Sequence, residues 1–335
     1  MGNSRNIFTL LSMKSALLSI FLVVLSFSAT YSKDAALETV SKHGRLSVNG
    51  IHLVNQNGEP VQLKGMALFW SIWYPQFYNQ ATVDGVHKGC HSNVIRAALA
   101  VDTKDGGYLK DPAGQQALIE AVVEAAIKDD IYVIVDWHEE SAFNHLAQAQ
   151  DFFDKISRKY GGYPNIIYEP FNEPVNAAWS SVLKPYHEAI IKTIRKNDPN
   201  NVIVLGTPNY SQDVDQAAAD PITDQKNIMY TLHFYSATHK QWLRDKAQIA
   251  LDKGLPIFVT EYGVVAADAQ GPIDEPESHI WWDFLDKYGI SYVNYDISDK
   301  DEPCSALIPG TTAEQTCDEA HLTTGGKLAV SQNKK

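Results

Sequence analysis

Eight short apolar runs with helical patterns standing between them constrain this chain more than any other feature. The runs cover residues 61–68, 93–99, 131–137, 166–171, 201–206, 228–234, 256–260 and 291–296. They are rich in Val, Ile, Leu and aromatic residues, and several lack polar alternation, as strands covered on both faces do. Helical patterns fall at 113–129, 145–160, 180–197, 240–253 and 275–288. In the first of these Leu118, Val122 and Ala126 recur at i, i+4 and i+8, which places them on one helix face. Pro112 and Asn200 stand where helices should start and stop. With 335 residues and 44 % hydrophobic content, the chain can close one barrel of about 250 residues. The expected fold is therefore α/β: a single-domain (β/α)8 TIM barrel of parallel strands. An open doubly wound sheet is the alternative, but no glycine-rich phosphate-binding turn follows any strand. A short N-terminal β-hairpin at 46–60, turning at Asn57-Gly58, is expected to close the barrel bottom.

The first thirty residues have a different character. Arg5 and Lys14 precede an apolar run from Ala16 to Phe27, and the small residues Ser26, Ser28 and Ala29 follow it. The run is short for a membrane span, so residues 1–29 read as a signal peptide and the protein as secreted. Residues 30–45 read as a flexible segment and 46–335 as the catalytic domain. No membrane association is expected once the signal is cleaved. The 28 basic and 40 acidic residues give a net charge of −12, which disfavours nucleic acid as a partner. A neutral ligand is not disfavoured, and a monomer is expected. An exported chain can form disulfides. Of Cys90, Cys304 and Cys317, the last two share one loop-like stretch and are the expected pair, which leaves Cys90 free.

In a barrel of this kind the chemistry collects at the C-terminal strand ends. Arg96 lies on the second run, and Asp136-Trp137-His138 end the third. Asn172-Glu173-Pro174 end the fourth, His233-Phe234-Tyr235 the sixth and Glu261-Tyr262-Gly263 the seventh, while Tyr295 lies on the eighth. A single Glu at a strand end is more often an ion-pair partner than a catalyst. Two Glu residues among an Arg, two His, an Asn and a Tyr point instead to glycoside hydrolysis, with one carboxyl protonated and the other ionised. A zinc site on His138, His233, Glu173 and Glu261 would lack the usual ligand spacing and would face Arg96. No metal and no cofactor are expected. No G-x-S-x-G elbow supports a serine hydrolase.

These residues resemble glycoside hydrolase family 5, in particular its bacterial and nematode-type endoglucanases. The resemblance rests on LKGMALFWS (63–71), NVIRAAL (93–99), YVIVDWH (132–138), YEPFNEP (168–174), LGTPNYSQDVD (205–215), MYTLHFYSATH (229–239), PIFVTEYG (256–263) and SDKDEPCSAL (298–307). It implies a retaining endo-β-1,4-glucanase acting on β-glucan or cello-oligosaccharides. It also implies Glu173 as acid/base and Glu261 as nucleophile, supported by Arg96, His138, Asn172, His233 and Tyr235. Trp73 and Trp179 would stack on glucose rings on opposite sides of the cleavage point. Lys300 and Glu302 would contact a sugar on the non-reducing side. Tyr295 stands where the family usually has Trp, and the loop 264–271 also differs; both bear on substrate preference. A β-mannanase, a mixed-linkage β-glucanase or a non-catalytic glycan-binding protein are the alternatives.

Overall fold

The computed structural model describes residues 39–335. The expected signal peptide, and most of the segment expected to be flexible, lie outside the described residues. Residues 39–45 of that segment are ordered. Val40–His43 form one helical turn, Val40 is buried and its N–H donates to the Asp130 carbonyl. Burial of an apolar side chain and a paired backbone group offset the entropy that polar composition alone would leave dominant.

A two-stranded antiparallel ribbon comes first, β1 (Ser47–Asn49) and β2 (His52–Val54). Its register pairs Asn49 with His52, so the turn is Gly50-Ile51, with Gly50 at φ 59°. The hairpin is where it was expected, but its turn is not. Asn57-Gly58 makes the following turn, in which the Gly58 N–H donates to the Asn55 carbonyl. Both positions offer a Gly that tolerates positive φ, so the dipeptide alone could not choose between them. The ribbon is tied to the bottom of the barrel: the Val48 N–H donates to Asn227 Oδ1, just before a barrel strand.

Eight parallel strands then close on themselves. They are β3 (Lys64–Leu68), β4 (Val94–Ala100), β5 (Tyr132–His138), β6 (Ile166–Glu169), β7 (Ile203–Leu205), β8 (Ile228–Tyr235), β9 (Ile257–Gly263) and β10 (Tyr292–Ile297). Every residue of β4, β5, β8, β9 and β10 is buried, as their continuous apolar runs demand. Helices at Pro112–Lys128, Leu146–Tyr160, Lys184–Arg195, Gln241–Asp252 and Glu275–Tyr288 match the expected segments. Helices at Gln80–Lys88, Val214–Ala219 and Thr324–Asn333 were not foreseen.

The disulfide joins Cys90 to Cys317, with Cα atoms 5.3 Å apart, and Cys304 is a buried free thiol. The expected Cys304–Cys317 pair does not form. Cys304 packs behind the active rim, where its Sγ donates to the Tyr295 carbonyl. Residues 313–317 instead lie against helix Gln80–Lys88, so close that a Cβ on Gly85 would meet the Thr316 carbonyl at 2.3 Å. That approach brings Cys317 to the helix end where Cys90 stands.

Candidate active site

Parallel register delivers the polar side chains to one rim. Asp136 on β5 is level with Glu169 on β6, and His233 on β8 with Glu261 on β9. Arg96, fully buried on β4, reaches all the acidic members except Glu173. Its Nε and Nη2 form a fork on Glu169 at 2.7 and 3.2 Å. Its Nη1 donates to Glu261 Oε2 at 3.0 Å, and Nη2 reaches Asn172 Oδ1 at 2.6 Å and Asp136 Oδ2 at 3.0 Å. Burial opposes this charge, but Asp136, Glu169 and Glu261 outweigh it and raise the Arg96 pKa.

Glu261 accepts on both oxygens, from Arg96 on one side and from the Tyr235 hydroxyl at 2.6 Å on the other. Gly263 makes the second contact possible. A Cβ there would lie 2.3 Å from the Tyr235 ring, so only glycine lets the phenol cross the end of β9.

Glu173, in the loop after β6, lives differently. Burial pushes its pKa up to about 8, against the attraction of Arg96 and reinforced by Glu140. Its Oε1 is 2.8 Å from His233 Nδ1. One carboxylate oxygen each of Glu173 and Glu261, and a ring nitrogen of His233, all lie within 4.8 Å of one another. Two titratable groups thus meet in one cleft, one a proton holder and the other an acceptor surrounded by donors. The same three groups are near enough to share a metal ion. Their lone pairs are already directed at Arg96, Tyr235 and each other, which fits proton chemistry better than coordination.

His138 is neutral, since burial lowers its pKa to about 3. Its Nδ1 lies 2.6 Å from Asp136 Oδ2 and its Nε2 3.4 Å from the Asn172 amide nitrogen. Tyr295 lies nearly parallel to the His138 ring, with centroids 6.2 Å apart, and beside Phe69. Lys300 pairs with Glu302 at 2.6 Å, and its Nζ sits 4.9 Å over the Phe69 ring. These residues form one wall of the rim, where a sugar on the non-reducing side was expected to be held.

The two tryptophans part company. Trp73 is 39 % exposed and its Nε1 donates to Asp105 at 2.9 Å. With Trp70 it lines a depression that also holds Asp102 and Glu140. Trp179 is 2 % exposed, packs on Tyr230 and His187, and donates Nε1–H to the Asp220 carbonyl. It is a core residue and presents no face to a ligand. Tyr210 occupies the rim on that side instead and is 42 % exposed. Asn209, Tyr210 and Ser211 all have positive φ, between 55° and 59°. The segment is pinned to the loop that carries Glu173: the Tyr210 N–H donates to the Pro174 carbonyl and Ser211 Oγ to the Asn172 carbonyl. Backbone held in that region without glycine collects at functional sites. Glu169 and Thr260, absent from the expected site, lie at its centre.

A closed (β/α)8 barrel presenting two such carboxyl groups at its C-terminal rim is the framework of the two-carboxylate glycosidases. A family model described as cellulase (glycosyl hydrolase family 5) matches residues 54–301. Endoglucanase Z of Dickeya dadantii is 45 % identical over 289 residues, 85 % of this chain but 65 % of that protein. The chain therefore spans just under two thirds of that relative's length. A solved structure from Cytophaga hutchinsonii superposes with a TM-score of 0.86 at 45 % identity, covering 89 % of this chain and 97 % of its own. The catalytic domain of Thermobifida fusca endoglucanase Cel5A, solved as a variant in complex with cellotetraose, gives 0.83 at 28 % identity, covering 89 % and 100 %. The chain belongs to the cellulase family, glycosyl hydrolase family 5.

Proposed function

We propose that this protein is a secreted endo-β-1,4-glucanase that cleaves internal bonds of cellulose or soluble β-glucan with net retention at the anomeric carbon. The observation that carries the reading is the pairing of Glu173 with Glu261: carboxylate oxygens within 4.8 Å, one group holding a proton and the other accepting from Arg96 and Tyr235. Retaining enzymes place their carboxyls about 5–5.5 Å apart, whereas inverting ones leave room for a water at about 6.5–9.5 Å.

Glucan lies along the rim, with Trp73, Lys300 and Glu302 on the non-reducing side and Tyr210 on the leaving-group side. Glu173 gives its proton to the glycosidic oxygen as Glu261 attacks the anomeric carbon. Glu173, now a carboxylate, then takes a proton from the water that releases the glycosyl-enzyme. The name of the Dickeya relative and the cellotetraose bound to the Thermobifida domain support a β-1,4-glucan substrate. The charged, apolar, then small-residue order of the first thirty residues supports export, as does a disulfide between distant segments.

The test is proton NMR of cellotetraose hydrolysis, read before mutarotation. First-formed product in the β configuration is expected, and α product would sink the retaining mechanism. Glu261→Gln should remove turnover by a factor of roughly 10³ or more, since no other group can form the covalent intermediate; near-normal activity would overturn the assignment. Rates on carboxymethylcellulose, lichenan, mannan and xylan decide among the family's β-glycan substrates.

A further inference from the structure

Glu169 is a fully buried carboxyl that the mechanism above leaves without a task. It is joined to the acid by a line of short hydrogen bonds. Thr260 Oγ1 donates to Glu169 Oε1 at 2.6 Å, His233 Nε2 lies 2.9 Å from Thr260 Oγ1, and His233 Nδ1 lies 2.8 Å from Glu173 Oε1. We propose that Thr260 and Glu169 are positioning residues that fix the tautomer of His233 and thereby place the acid's proton on Glu173.

The argument follows one proton at a time. A hydroxyl has one hydrogen to give. Burial pushes the Glu169 pKa up to about 7 against the pull of Arg96, but both its oxygens already accept from the Arg96 fork, so Thr260 gives its hydrogen to Oε1. Its oxygen can then only accept from His233, so the imidazole hydrogen sits on Nε2. Nδ1 is left as a lone pair, and a bond to Glu173 at 2.8 Å requires the hydrogen to come from Glu173. His233 is neutral, because burial lowers its pKa to about 4. A neutral imidazole has a single N–H, so the two ends of the ring cannot both donate. The opposite tautomer would donate to Glu173 and favour its ionised form, leaving the acid empty before the reaction starts.

Other groups face the pair. Arg96, Asp136, Glu140 and Glu169 act on Glu173 from β4, β5, the following loop and β6, and Tyr235 approaches from β8. Arg96, His138, Glu169, Glu261 and His239 act on His233. Replacing Thr260 by Val leaves all of these charges in place and removes only the hydroxyl.

The inference rests on the proposed function for its kinetic consequence but not for its structural one. Nitrogen-15 NMR of the His233 ring, assigned by its loss in His233→Asn, should show the Nε2–H tautomer in the unaltered protein. Thr260→Val should shift it to Nδ1–H, and Thr260→Ser should keep it. In Thr260→Val the alkaline limb of kcat/KM on cellotetraose should move down by about one pH unit or more. The rate near neutral pH should fall about tenfold or more, within the range that general acid catalysis contributes. Hydrolysis of 2,4-dinitrophenyl β-cellobioside, whose leaving group needs no proton, should change by less than about twofold, and Thr260→Ser should behave as the unaltered protein. An Nδ1–H tautomer in the unaltered protein, or equal loss on both substrates in Thr260→Val, would overturn the proposal. If the unaltered protein cleaves neither substrate, the proposed function falls, and the ring-nitrogen shifts still decide the tautomer.

Discussion

At the scale of single residues, Arg96 and Glu169 explain each other. A charge in the middle of a buried strand needs a partner, because desolvating it alone costs several kcal/mol. Arg96 on β4 and Glu169 on β6 are such a pair, two strands apart and joined by a fork. The sequence carried this signal: one Glu inside the apolar run 166–171 and one Arg inside 93–99. The signal is weak because Glu169 lies inside its strand run, while Glu173, four positions on, has the Asn-Glu-Pro context. Thr260 carried no such signal, since a Thr in a strand is ordinary. Of the two paired carboxyls, Glu173 is the one proposed to carry the proton. It must be protonated to act as an acid, so activity is lost as pH rises through its pKa. Since burial raises that value to about 8, kcat/KM for cellotetraose should hold through neutral pH and fall on an alkaline limb near pH 8. A limb near pH 5 would show that Glu173 is not held as described.

At the scale of elements, the eight strands were legible because each is covered on both faces and so reads as an unbroken apolar run. The rim followed from their order, since strand ends in a parallel barrel all point one way. The helices that escaped notice, such as Gln80–Lys88, are short, with half-buried polar residues among their apolar ones. Tryptophan roles were not legible at all. Trp73 and Trp179 are the same residue type near the same rim, and only packing separates them. Helix Lys184–Arg195 is preceded by a wide turn from Trp179 to Leu183, which folds the indole inward onto Tyr230. Trp179→Ala should therefore cost about 3–5 kcal/mol in urea unfolding, the range for truncating a buried Trp. KM for cellotetraose in the folded fraction should be unchanged. Trp73→Ala should do the reverse, shifting stability by about 1 kcal/mol or less while raising KM several-fold, since a ring already in water has little burial to lose. A raised KM in Trp179→Ala with unaltered stability would restore it as a sugar platform.

At the scale of the whole molecule, the chain's return to its own beginning could not be read from local pattern. Cys90 and Cys317 are 227 residues apart, and they meet because the 313–317 segment lies against helix Gln80–Lys88. Sequence proximity favours Cys304 as a partner for Cys317, but Cys304 is buried with its Sγ donating to the Tyr295 carbonyl, while Cys317 is bonded to Cys90. The C-terminal helix Thr324–Asn333 is held to the same region, since the Asn333 amide donates to the Cys90 carbonyl at 3.1 Å. A cross-link closing so long a loop restricts the unfolded chain, with a typical effect of about 2–5 kcal/mol. Cys317→Ser, or reduction of the unaltered protein, should therefore lower the thermal midpoint by several degrees, while Cys304→Ser should leave the cross-link intact. The protein recovered from culture medium gives the decisive reading. Alkylation without reduction should label one cysteine, Cys304, only after unfolding; a non-reducing digest should yield the 90–317 cross-linked peptide; and the N-terminus should lie near residue 30. A 304–317 peptide would contradict the packing of the rim's rear wall. A chain that stays with the cells and keeps residues 1–29 would refute secretion without touching the site, because the disulfide and the two carboxyls depend on the barrel and not on the leader.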